Sequence, residues 1–257
     1  MSDRIAERMQ TSMSSMAFSE SEKKMICVQL GIRAAQAERM GSMNKRVRTR
    51  RIVAIAVVCV MVMGAAAFAA GKISMTFGHG HSGYDYRTED DLSKAALNNN
   101  LASLPGQFSN GYKLEGGNEE KVNGADDGGN IISTWTEVSA DYIYQGKRVT
   151  VSESRTPDGF TEASGVKADD TRVIIGIDVT YRYFDYLFVP PDYEPDEEIA
   201  AREKEDSHFT ISYGSDKVTN ERADFVTFEK NGISYNIMSF DGVSKDDLFA
   251  IAEGLIK

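Results

Sequence analysis

The stretch from Ile52 to Ala70, IVAIAVVCVMVMGAAAFAA, runs nineteen residues without a charge and dictates how the rest of the chain is organised. As a helix rising about 1.5 Å per residue it reaches roughly 28 Å, close to the hydrocarbon thickness of a bilayer. A helix buried in a soluble core normally keeps a polar stripe over that length, and a central strand is far shorter. The spacing therefore predicts one transmembrane helix over 52–70. Lys45, Arg46, Arg48, Arg50 and Arg51 crowd its N-terminal edge, whereas Lys72 stands alone near the other. Positive charge stays on the cytoplasmic side, so residues 1–51 are expected inside the cell and residues 72–257 outside. The alternative is a signal peptide, cleaved at the small residues of Ala67-Phe68-Ala69-Ala70. Its n-region would be 51 residues long and its apolar run longer than usual, so an uncleaved anchor in the cell membrane is the expectation.

That division exposes a charge asymmetry. Residues 1–51 carry eleven Lys and Arg against five Asp and Glu, a net of +6, and residues 72–257 carry eighteen against thirty-four, a net of −16. So acidic an outer segment repels phosphates, which argues against nucleic acid as a partner. The basic inner edge is explained by topology and by contact with the bilayer's anionic headgroups. Cys27 and Cys59 fall in the inner segment and the anchor, so no disulfide supports the outer segment, which must stand on its own core.

The inner segment, 1–51, reads as two short amphipathic helices. Ile5, Met9, Met13 and Met16 share one face of the first. Ser19-Glu20-Ser21-Glu22 is a capping box for the second, which carries Ile26, Leu30, Ala34 and Ala37 on one side. Such a Met-rich face needs a second surface, and a plain helical hairpin competes with binding of a cytoplasmic regulator through Ile5, Met9, Met13, Met16, Ile26 and Leu30.

Residues 71–87 read as a Gly- and His-containing stalk, followed by an outer domain over 88–257. Thr88 with Glu89, Asp90 and Asp91 opens a helix that stops before Pro105-Gly106. Phe108 to Leu114 suggests a first strand, and GGNEEKVNGADDGGN, 116–130, a polar loop. Residues 131–144 and 148–155 form a hairpin about Gln145-Gly146-Lys147, with Val138, Ala140, Tyr142 and Tyr144 on one face. TRVIIGIDVTYRYF reads as one strand burying Val173, Ile175, Ile177, Val179, Tyr181 and Tyr183. The acidic run 190–206 is a loop or a solvated helix, and Phe209–Tyr213 a further strand. Strands 224–230 and 233–240 meet at Asn231-Gly232, and a helix capped by Ser244 closes the chain with Leu248, Ile251, Ala252 and Leu255 on its apolar face. The expected fold is α+β, a curved antiparallel sheet with N- and C-terminal helices.

Little in this pattern suggests chemistry. His79 and His81 are two apart in a Gly-rich stalk and His208 is distant, which falls short of a metal site. NGADDGGN lacks the alternating acids and closing Glu of a calcium loop. No nucleophile elbow or phosphate-cradling Gly loop occurs, so neither an enzyme nor a cofactor is expected. The aromatics Tyr181, Tyr183, Phe184, Tyr186 and Phe188 either line a ligand cleft or pack the sheet, packing being the commoner use.

WTEVSADYIYQGKRVTV and FEKNGISYNIMSFDGVSKDDLFAIAEGLI resemble an extracellular domain family of clostridia and related Gram-positive bacteria. Its members join a short helical cytoplasmic segment and one membrane span to this domain, and several look like membrane-bound anti-sigma factors. The resemblance covers about 88–257 and implies an outer domain similar to LolA-type half-barrel carriers. It further implies a sensing or regulatory role, with an extracellular ligand of unknown identity and a cytoplasmic sigma factor or other regulator as partners. The inner segment departs from many anti-sigma domains in having no His/Cys zinc cluster. The competing expectation is an anchored lipid- or peptide-binding carrier that plays no part in signalling.

Overall fold

The computed structural model describes residues 75–78, 83–125, 131–155, 167–190 and 192–257. These form an α+β fold, an open and largely antiparallel sheet with three helices. In chain order the elements are β1 (Met75–Gly78), α1 (Glu89–Asn98), β2 (Lys113–Ala125), β3 (Ile131–Tyr144), β4 (Lys147–Ser154) and β5 (Asp170–Ile174). They continue with β6 (Ile177–Val189), α2 (Glu197–Glu205), β7 (Phe209–Tyr213), β8 (Thr219–Lys230), β9 (Ile233–Ser239) and α3 (Lys245–Ile256). Across the sheet the order is β1-β2-β3-β4-β9-β8-β6-β5, with β7 also paired to β6.

Local chemistry sets the helix starts. The Thr88 and Ser244 hydroxyls accept the backbone N–H groups of Asp91 and Asp247, and the Asp196 side chain accepts that of Ile199. Each cap is followed by carboxylates that favour the positive end of the helix dipole. Leu92 and Ala96 of α1 and Leu248, Phe249, Ile251 and Ala252 of α3 pack on Val138, Ala140, Tyr142, Val149, Val151, Val179 and Ile237. Helix α2 has no buried residue of its own and lays Ile199 against Leu187, Val189, Phe209 and Ile211. Leu187 and Val189 share strand parity with Val179 and Tyr181, so all three helices cover one face of the sheet.

Five expectations are corrected. Residues 116–125 are not a loop but the body of β2, paired with β3 throughout and with β1 at its end. Ladder bonds on both sides override the weak strand propensity of Gly, Asn and Asp. Phe108 to Tyr112 is a tight turn before β2, with Phe108 N–H donating to the Tyr112 carbonyl at 2.9 Å. The sheet is not wholly antiparallel, because β7 runs parallel to β6. Finally, TRVIIGIDVTYRYF is two strands, β5 and β6, folded back on each other. Part of the segment expected as a stalk also joins the sheet: β1 lies in it, and Tyr86 bridges Gly117.

Candidate functional site

The β5–β6 hairpin turns on Ile175-Gly176, both with positive φ, 49° and 81°. The other two-residue hairpins of the sheet turn on Gln145-Gly146 and Asn231-Gly232 in the same conformation. Such turns favour Asn-Gly or Asp-Gly, and a β-branched residue at positive φ is strained by about 1–2 kcal/mol. Reversing the chain here also reverses its parity. Ile174 pairs with Ile177 and both pack against the main core, while Val173 points to the other face. Val173 and Ile175 are left 69% and 67% exposed, the most exposed large apolar side chains among the described residues. The turn thus holds an unfavourable conformation without burying the side chain responsible for it.

Beside the turn lies an open groove of about 390 Å³. Arg172, Val173, Ile174 and Ile175 form one wall, and Asp246, Phe249, Ala250 and Glu253 of α3 the other. Charged groups bridge its two walls. The Arg172 guanidinium lies 4.0 Å above the Phe249 ring and donates to Asp246 at 2.6 Å, while Lys245 reaches Asp170 at 2.7 Å. The Lys245 hydrogen bond holds the Asp170 carboxyl below its usual range. β5 ends the sheet, and among the described residues no strand pairs with its outer edge. An edge strand of this kind is a ready template for another chain.

His208 performs a different task. β5 and β7 share the outer side of β6, and the ladder between them is completed by side chains. The Tyr183 N–H donates to Asp169 at 3.2 Å, and the Tyr183 carbonyl lies 2.9 Å from His208 Nδ1. The imidazole stacks on the Tyr183 ring at 4.3 Å, its Nε2 lies 3.3 Å from Asp169, and Arg222 covers the ring's other side at 3.7 Å. Both ring nitrogens are occupied in holding the sheet edge. Among the described residues no group of three or more His, Cys, Asp or Glu is placed to hold a metal ion.

The aromatic run on β6 divides by parity. Tyr181 enters the main core and donates to Asp224 at 2.6 Å, with burial and the Asp224 bond raising its pKa to about 12. Tyr186 and Phe188, with Phe184, pack against Phe225, Met238 and Phe240 on the face opposite the helices. The Tyr186 and Phe188 rings stack at 5.6 Å, and both residues are buried. They pack the sheet on that face.

Glu153 went unremarked in the sequence, although alternation with Val149 and Val151 places it on the helix-covered face. It is 1% exposed, and neither carboxyl oxygen makes a hydrogen bond of ordinary geometry. Burial pushes its pKa up to about 8, against a weaker downward pull from the Ala102 backbone and the Tyr235 hydroxyl.

Lys45, Arg46, Arg48, Arg50 and Arg51, expected to set the topology, lie outside the described residues. So do the inner face of Ile5, Met9, Met13, Met16, Ile26 and Leu30, the stretch 52–70, and His79 and His81. Among the described residues no helix is long and apolar enough to cross a membrane. Compared with protein-family models, with curated proteins and with solved structures, the chain finds no match.

Proposed function

We propose that the chain is a single-pass membrane protein of the cell envelope whose outer domain captures an extended segment of a partner protein at the β5 edge. Its cytoplasmic helices relay that occupancy to a regulator in the manner of an anti-sigma factor. The observation that carries the reading is Ile175, a β-branched residue in a left-handed turn position, 67% exposed beside a strand edge that no described strand pairs. Strained conformations persist where function needs them, and here an apolar side chain is displayed where Asn would fold better. The edge supplies main-chain donors and acceptors, and Val173 and Ile175 supply apolar contact, which together suit strand addition. The groove beside the turn is open rather than enclosed, which suits an extended segment lying along it. The half-barrel likeness belongs to the same proposal.

The test is a photo-crosslinking residue placed at Val173, or as a control at Val218, in the full-length protein in its native membranes. Val218 is also exposed but precedes β8, at the other end of the sheet. The expected outcome is a discrete protein adduct from position 173 and none from 218. Equal labelling from both positions, or none from 173, sinks the proposal.

A further inference from the structure

We infer that the tip of the β1–β2–β3 arm rests on the lipid bilayer through Ile131 and Ile132; this rests on the anchored reading above. The register aligns Met75 of β1 with Ala125 of β2, and Ala125 with Ile131 of β3. The three strands therefore share one end, and β1 starts there. Among the described residues β4 pairs with β3 only from Glu137 to Tyr144, so residues 131–136 run on past β4 with β2 as their one described strand neighbour. At about 3.3 Å per residue that extension is roughly 20 Å long.

Adjacent residues on a strand point to opposite faces, so a strand half in water normally hides one of any two neighbours. Ile131 and Ile132 are instead both exposed, 57% and 42%. Two isoleucines displayed on both sides of an arm tip need an apolar surface that the domain does not supply among its described residues. Their position identifies that surface. Five peptide steps separate Ala70, the last residue of the apolar stretch, from Met75. Fully extended, these span at most about 18 Å, and the headgroup layer is itself about 5–8 Å thick. The arm tip is therefore tethered at the interface, where burying two Ile side chains is favourable and requires no specific lipid.

The β5–β6 turn does not share this contact, although strand directions put it at the same end of the sheet. Sheets twist by about 20–25° per strand, and seven steps from β1 to β5 turn the second tip by more than a right angle. One surface thus meets the bilayer and the other faces away from it.

The experiment uses the full-length protein with Cys27→Ser and Cys59→Ala, reconstituted into phosphatidylcholine vesicles. A single environment-sensitive fluorophore is attached through Ile132→Cys or Val218→Cys. At position 132 the result expected is severalfold stronger quenching by lipid-borne nitroxide than at 218, and severalfold weaker quenching by aqueous iodide. Equal quenching at the two positions in protein that floats with the vesicles overturns the arm contact alone. Protein that fails to float with the vesicles at all overturns the anchored reading, and the inference with it.

Discussion

Raising the pH from about 4.5 to about 8 is expected to weaken the folded protein by on the order of 4 kcal/mol through Glu153 alone. The sign follows from where the proton sits. Below the ordinary carboxyl range both folded and unfolded chains hold it, so the group contributes no pH dependence. Between that range and a folded pKa of about 8, the unfolded chain has released the proton while the folded chain retains it. Unfolding then becomes easier with every rise in pH, and the dependence levels off above about 8, where the folded carboxyl ionises too. The half-buried Glu137, pushed to about 7 by burial against a downward pull from the Ser152 hydroxyl, adds to the same trend. Urea unfolding in detergent micelles between pH 5 and 9, comparing the natural chain with Glu153→Gln, isolates the Glu153 share. The variant should be the more stable at pH 8 and show a clearly flatter profile. An unchanged slope would show that Glu153 is reached by water.

The second large effect concerns two glycines that look equivalent in sequence. A Cβ on Gly117 would stand 2.6 Å from the Ser139 backbone carbonyl and 2.5 Å from Leu92 Cδ1. The carbonyl belongs to the ladder between β2 and β3 and cannot swing aside, and Leu92 is fully buried. Gly117→Val is expected to destabilise by about 3 kcal/mol or more, lowering the urea midpoint or preventing folding. A Cβ on Gly106 also meets an atom, Glu89 Oε2, but that is the far end of a flexible side chain. Gly106→Ala should therefore shift the midpoint by less than about 0.5 kcal/mol. Equal losses from Gly106→Ala and a Gly117→Ala comparison variant would contradict the account of how β2 packs.

These glycines also explain what could be read in advance. A strand seldom contains GGNEEKVNG, and propensity alone assigns it to a loop. It becomes β2 because Tyr84 and Leu92 pack so close that only glycine fits at 116 and 117. That reason is tertiary, so no window of sequence contains it. The neighbouring hairpin was legible because alternation at Val138, Ala140 and Tyr142 matches the buried face and Gln145-Gly146 is a recognisable turn. The caps at Thr88 and Ser244 were legible for the same local reason. The β5–β6 turn was hidden because Ile-Gly does not look like one, and alternation runs on through it. The departure from turn chemistry that hid the element is what nominates it as a site. Glu153 had a readable signal in its strand parity, but a charged residue in a strand is ordinarily assigned to the solvent face.

If Ile175 is kept for display at the expense of stability, Ile175→Asn tests that most directly. Asn suits the left-handed turn position and carries no exposed apolar surface. The variant and the natural chain are compared for urea midpoint in micelles and for recovery of crosslinked partner from native membranes. The account predicts opposite signs, a gain of about 1 kcal/mol in stability and a loss of the partner. A variant that is more stable and still recovers the partner in full, or one that loses stability, contradicts the claim that this turn is strained for binding.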